Sequence, residues 1–129
     1  MSDRLNSAVI CIGSNVADRE AVVSAALGDV SRGGVVRVSS GLYDTAADNG
    51  IDAPYINLVA LVDVAHDLDS LRALAKKLES EAGRTAASTS SAMPLDIDII
   101  MWNGAVVDRR QYEKPYFKEG YAKISVTQI

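Results

Sequence analysis

The sequence predicts an α+β sandwich, with helices on one face of a mainly antiparallel sheet, and three observations carry that prediction. Apolar runs and amphipathic segments follow one another in the order β-α-β-β-α-β. The second and third strand segments are separated only by Ala46 to Pro54, where Asp48-Asn49-Gly50 and Asp52-Ala53-Pro54 are turn chemistry, so they should form a hairpin. The last strong strand, Pro94 to Trp102, alternates apolar and acidic residues and then turns wholly apolar, as a strand packed on both faces does. This is the split βαβ, ferredoxin-like order, and a chain of 129 residues suits a single domain over 1–129.

The elements follow in turn. Ala8-Val9-Ile10-Cys11-Ile12 reads as a buried strand that ends at the turn Gly13-Ser14-Asn15. Asp18 is placed to cap a helix in which Val22, Val23, Ala26, Leu27 and Val30 recur at helical spacing, and Gly33-Gly34 stops it. Val35 to Thr45 is β-rich and predicts one second strand; Tyr55 to Val64 is the clearest strand in the chain. Asp67 or Asp69 caps a second helix whose stripe is Leu68, Leu71, Leu74, Ala75 and Leu78, with Gly83 closing it. Thr85 to Met93 is a small, polar, low-complexity stretch expected to be a mobile loop. After the acid-bearing strand, Asn103-Gly104 signals a tight turn into Val106-Val107, and Ala122 to Val126 is expected to add a short β tail at the sheet edge. Helices on one face would leave the other face of the sheet open for loops and ligands.

Composition narrows the function classes. Hydrophobic residues make up 48% and aromatics only 5%, so the core must be built from Val, Ile, Leu and Ala. A net charge of −4 argues against nucleic acid as a partner. No stretch approaches the ~18 apolar residues of a membrane span, and Met1-Ser2-Asp3-Arg4 has no apolar signal core. The single cysteine, Cys11, cannot form an internal disulfide and reads as a small core residue, which fits a cytoplasmic location.

Asp96 and Asp98 fall on one face of their strand, with Leu95, Ile97 and Ile99 on the other. Two carboxylates at i and i+2 repel unless something positive lies between them, and hard oxygen ligands of this kind suit Mg²⁺. The plain alternative is a strand end whose aspartates are simply hydrated. Tyr55 and Asn57 also share a face, and a ring beside an amide can hold a flat heterocycle; a wet strand end explains them equally. His66, the only histidine, reads as an exposed turn residue and supports no Ser-His-Asp set. Gly13-Ser14-Asn15 lacks the Gly-Lys-Ser/Thr ending of a Walker A loop. Glu79 and Glu81, with Lys76, Lys77 and Arg84, most simply make a solvated helix face.

The succession Ile12-Gly13-Ser14-Asn15, Tyr43-Asp44-Thr45, Tyr55-Ile56-Asn57, Glu79 to Gly83-Arg84 and Leu95-Asp96-Ile97-Asp98-Ile99 resembles the 6-hydroxymethyl-7,8-dihydropterin pyrophosphokinases. The resemblance runs from about Ala8 to Gly104. It implies a folate-pathway enzyme that moves the diphosphate of ATP onto the pterin's hydroxymethyl group. It places two Mg²⁺ ions on Asp96 and Asp98, sets Arg84 beside them among the catalytic residues, and gives the pterin to Thr45, Tyr55 and Asn57. Glu79 takes the place of the family's carboxylate near the adenosine, and Tyr121 that of an aromatic that stacks on the pterin. The family's catalytic loop is rich in arginine and lysine, whereas Thr85 to Met93 holds no basic residue. Pro115-Tyr116-Phe117 and Glu119-Gly120-Tyr121 stand where the family has a histidine and an arginine, so Lys114, Lys118, Arg109 and Arg110 become the candidate replacement cations. Two functions are therefore expected: the diphosphotransferase, or a relative that binds a pterin without turnover or serves as a regulatory subunit. The chain is expected to be a monomer or a homodimer.

Overall fold

The computed structural model describes residues 5–46, 53–85, 88 and 92–127. A sheet carries the fold: β1 (Asn6–Ser14) lies at its centre, between β4 (Tyr55–Val64) and β5 (Asp96–Trp102). β2 (Val35–Ser39) and β3 (Tyr43–Thr45) both pair with β4 at one side, and β6 (Ala105–Val106) pairs with β5 at the other. Every pairing is antiparallel. The ferredoxin-like order expected from the sequence is the order observed.

α1 (Arg19–Val30) and α2 (Leu68–Glu81) pack on one face. There Ala8, Ile10 and Ile12 of β1 meet Val23, Ala26 and Val30 of α1, Leu71 and Ala75 of α2, and Ile97 and Ile99 of β5. The alternation of side chains along each strand sends every second residue to this face. Asp67 caps α2 by accepting from the Ser70 N–H at 2.8 Å. Asp18 does not cap α1: its backbone is left-handed, with φ 62°, and its side chain accepts no cap hydrogen bond. The long second strand is in fact two, broken where Gly41 takes φ 74° and its N–H donates to Ser39 Oγ. Asn103 (φ 48°) and Gly104 (φ 87°) make the tight turn between β5 and β6, the paired positive φ values of a two-residue hairpin. His66 is half-buried rather than exposed, and its carbonyl accepts from Asn6.

The C-terminal segment departs from expectation. It is helical, with a short α3 (Arg109–Tyr112) followed by α4 (Pro115–Thr127), so the anticipated β tail at Ala122 to Val126 is a helix. α4 lies on the face expected to be open, where Phe117 and Ile124 are fully buried against Val9, Cys11, Val59, Leu61 and Ile100. Pro115 at the first helical position and the spacing of Phe117, Tyr121 and Ile124 favour the helix, and burial of that stripe overrides the β-branched run. The second face is therefore covered at its back and open only towards one end. Residues 47–52 of the hairpin loop and 86, 87 and 89–91 of the polar stretch lie outside the described residues. Among those described, no helix is long and apolar enough to cross a membrane.

Candidate active site

Strand register assembles the site. Gly13 of β1 pairs with Asn57 on one side and Asp96 on the other, and Asn57 pairs in turn with Tyr43, so four strands contribute to one row. Cys11 pairs with Val59 and Asp98 in the next row, and Thr45 pairs with Tyr55 at the end. Side chains two apart on neighbouring strands share a face, so these rows line a cavity of about 160 Å³ on the second face. Cys11 and Gly13 are among its walls, with Thr45, Tyr55 and Asn57 on one side, Asp96 and Asp98 on the other, and Tyr116 of α4 contributing as well. A Cβ at Gly13 would sit 2.6 Å from Asn57 Oδ1, so only glycine leaves that side chain its place.

Asn57 is buried and its amide nitrogen donates to Thr45 Oγ1. The Thr45 hydroxyl is left with its own proton to give to a ligand. Ser14 and Asn15 serve elsewhere. Met93 N–H donates to Asn15 Oδ1 at 2.7 Å, and Asn15 Nδ2 donates to the Ala53 carbonyl at 3.3 Å, so Asn15 ties the chain before β5 and before β4 to the end of β1.

On the outer side of β5 lies a second hollow, of about 300 Å³, lined by Arg72, Lys76, Glu79 and Arg84 together with Asp96 and Asp98. Glu79 is not a solvated carboxylate: it is half-buried and accepts from the Ile97 N–H at 2.8 Å and from Arg84 Nη1 at 2.8 Å. Burial raises its pKa, against those two partners. Arg84 Nη1 also reaches Asp96 Oδ1 at 3.1 Å and the Leu95 carbonyl at 3.3 Å.

Asp98 is the deeper of the two strand acids. Burial first, and then the negative charge of Asp96, push its pKa up to about 8. Its Oδ2 is buried and has no hydrogen-bond partner among the described residues. An orphaned carboxylate oxygen beside a second carboxylate fits a hard divalent cation. Among the described residues no third His, Cys, Asp or Glu joins the pair. Mg²⁺ characteristically takes one or two carboxylates and fills its other positions with water and substrate phosphate, so the two aspartates are a fitting set.

A family model for 7,8-dihydro-6-hydroxymethylpterin-pyrophosphokinase matches residues 9–125. The chain belongs to this family. It is 27% identical to the 2-amino-4-hydroxy-6-hydroxymethyldihydropteridine pyrophosphokinase of Bacillus subtilis (strain 168), over 86% of this chain and 68% of that protein. It is 29% identical to the mitochondrial folate synthesis bifunctional protein of Pisum sativum, over 84% of this chain but only 23% of that longer protein.

In this pyrophosphokinase-family chain, the residues singled out by sequence do not all meet. Thr45, Tyr55, Asn57, Asp96 and Asp98 line the first cavity; Glu79 and Arg84 line the second, with the two aspartates again. Tyr121 lines neither. Its ring stacks on Phe117 at 5.3 Å, with Tyr112 at its edge. The aromatic that α4 brings to the cavity is Tyr116, whose hydroxyl donates to Gln111 Oε1. The tail cations are also placed elsewhere: Lys118 lies 3.6 Å from the centre of the Tyr112 ring, and Arg109 pairs with Glu113 at 3.8 Å. Sequence reasoning missed Cys11 and Tyr116 as cavity residues, and Arg72 and Lys76 as the cations of the second hollow. The last two were legible, since Arg72 and Lys76 share a helix face with Glu79.

Proposed function

We propose that the chain transfers the diphosphate of ATP to the hydroxymethyl group of 6-hydroxymethyl-7,8-dihydropterin, a step of folate synthesis in the cytoplasm. One observation carries the reading: Asp96 and Asp98 stand in the wall shared by two cavities, one with an aromatic and amide lining, the other with cations. An acceptor and a donor held on either side of one carboxylate pair meet at that pair. The pterin belongs in the first cavity, where Tyr55 offers a face and the Thr45 hydroxyl a proton. ATP belongs in the second, where Arg72, Lys76 and Arg84 offset phosphate charge and Glu79 lies beside the nucleoside.

Asp96 and Asp98 would hold the Mg²⁺ that enters with ATP, two ions when the nucleotide is bound. When bound, that metal neutralises the triphosphate and favours the alkoxide character of the attacking hydroxyl. The chain's own part is positioning. Holding the hydroxyl oxygen in line with the β-phosphorus makes the attack effectively unimolecular, and AMP leaves as the α,β-bridging bond breaks.

The test is AMP release that requires pterin, ATP and Mg²⁺ together. Asp96→Ala should lower the rate by about a thousandfold or more, since charge neutralisation is the main source of acceleration in phosphoryl transfer. No AMP above background from high concentrations of folded enzyme sinks the reading.

A second reading has its own support. Thr85 to Met93 contributes no cation, and the Lys118 and Arg109 side chains are engaged with Tyr112 and Glu113. A protein that binds the pterin with little turnover is consistent with that scarcity. Calorimetric binding of pterin without AMP release distinguishes it from the first.

A further inference from the structure

Arg84 is shared between two carboxylates that need different things. One Nη1 lies 2.8 Å from Glu79 Oε2 and 3.1 Å from Asp96 Oδ1, with all three side chains at least two-thirds withdrawn from solvent. Glu79 is also fixed by the Ile97 N–H and cannot leave without breaking a bond to the strand edge. Among the described residues Asp96 has no such backbone tie, and of these two acids it is the one that faces both cavities. A guanidinium 3.1 Å from a carboxylate oxygen takes up part of that oxygen's capacity to accept a cation, and repels a second cation as well.

We propose that Arg84 is a competitor for the metal: it neutralises Asp96 while the metal is away, and must release that oxygen before the metal can bind. The inference rests on the proposed metal role of Asp96 and Asp98. Glu79 keeps the arginine at hand during the exchange, because the Arg84–Glu79 contact survives loss of the Arg84–Asp96 one. The freed fork of the guanidinium then points at the hollow where phosphate oxygens are expected, and a charge-assisted pair with phosphate replaces the one given up. Metal alone therefore binds weakly, and metal with nucleotide binds well, because only the nucleotide gives Arg84 a new anion. A site built this way resists filling by free divalent cations.

The experiment is a titration with Mn²⁺ alone, read by the loss of its free paramagnetic signal, on the full chain. Arg84→Met should tighten Mn²⁺ binding about tenfold, the effect of one partly screened charge at contact distance. Arg84→Lys keeps the charge but places it on a compact ammonium without the planar guanidinium whose Nη1 meets both acids, and should fall between the two. Adding a non-hydrolysable ATP analogue should tighten Mn²⁺ binding in the wild type by more than in Arg84→Met. Circular dichroism confirms that each variant is folded. Should Arg84→Met not fold, Glu79→Gln gives the opposite sign, since Asp96 is then the one carboxylate left to the arginine, beside the Leu95 carbonyl, and Mn²⁺ binds more weakly.

Unchanged or weaker Mn²⁺ binding by folded Arg84→Met overturns the proposal, as does a Lys variant indistinguishable from wild type. Asp96→Asn and Asp98→Asn separate this failure from that of the underlying reading. If they leave Mn²⁺ binding intact, the aspartates are not the ligands and both fall; if they abolish it while Arg84→Met has no effect, only the competition falls.

Discussion

Asp98 is where sequence spacing and three-dimensional environment combine most sharply. Its place beside Asp96 follows from a strand period of two, and its burial follows from the row it shares with Cys11. The consequence is measurable in the metal-free protein. Folding raises the Asp98 pKa to about 8, from an ordinary value near 4. The folded state thus holds a proton that the unfolded chain releases, so this contribution is complete below the unfolded pKa and is lost as pH rises through about 8. In the presence of EDTA, the urea midpoint should fall from about pH 5.5 to about pH 8.5, and Asp98→Asn should flatten most of that fall. A midpoint that climbs over this range contradicts the assignment. The acid pair was readable because alternation alone sets it, and Gly13, Thr45, Tyr55 and Asn57 were readable as turn and strand-end residues in one order. Cys11 was not: its apolar run says buried, but only the pairing with Asp98 says that it borders a cavity. Nor did sequence show that Ser14 and Asn15 act as a clasp, because their partners Met93 and Ala53 lie some 40 to 80 residues away.

At the level of elements, strands β1, β4 and β5 and helices α1 and α2 were legible from periodicity, whereas α4 was not. The run Ala122 to Val126 carries β-branched residues, and Gly120 interrupts the helical stripe, so local preference opposes the structure. What decides is a close approach. A Cβ at Gly120 would collide with the Tyr43 hydroxyl and with Val59, so the glycine is a notch that lets the helix settle on the sheet. Tyr43, buried in that contact, donates its hydroxyl proton to the Tyr116 carbonyl at 2.7 Å and so fixes the turn that brings Tyr116 to the cavity. Tyr43→Phe should cost about 1 kcal/mol of stability, the net worth of one such bond, and, with the proposed assignment of the cavities, raise the KM for pterin more than that for ATP. Gly120→Val should cost more, about 1–3 kcal/mol by overpacking, and act on the same KM. Equal changes in both KM values would show that α4 does not set the pterin wall. Denaturant unfolding and initial-rate kinetics on the two variants supply the measurements.

For the molecule as a whole, the decisive feature is that two cavities on opposite sides of β5 have one wall in common. Neither helix pair makes this alone: α2 shapes the outer hollow from one face of the sheet, α4 closes the inner cavity from the other, and β5 stands between. Ligands on the two sides must then act on the same pair of carboxylates. With the proposed assignment, a non-hydrolysable ATP analogue and Mg²⁺ should tighten pterin binding, by about tenfold if the coupling is of ordinary size. Linkage requires that pterin tighten the nucleotide by the same factor, so both legs of the cycle can be measured by calorimetry and compared. Asp98→Asn takes one of the two carboxyl groups from the shared wall while leaving Tyr55, Asn57 and Thr45 in place. That variant should keep pterin binding in the absence of nucleotide and lose most of the coupling. Coupling that persists undiminished in Asp98→Asn would mean that the two sides communicate through some other path, and the carboxylate pair would no longer explain why the fold places two cavities there.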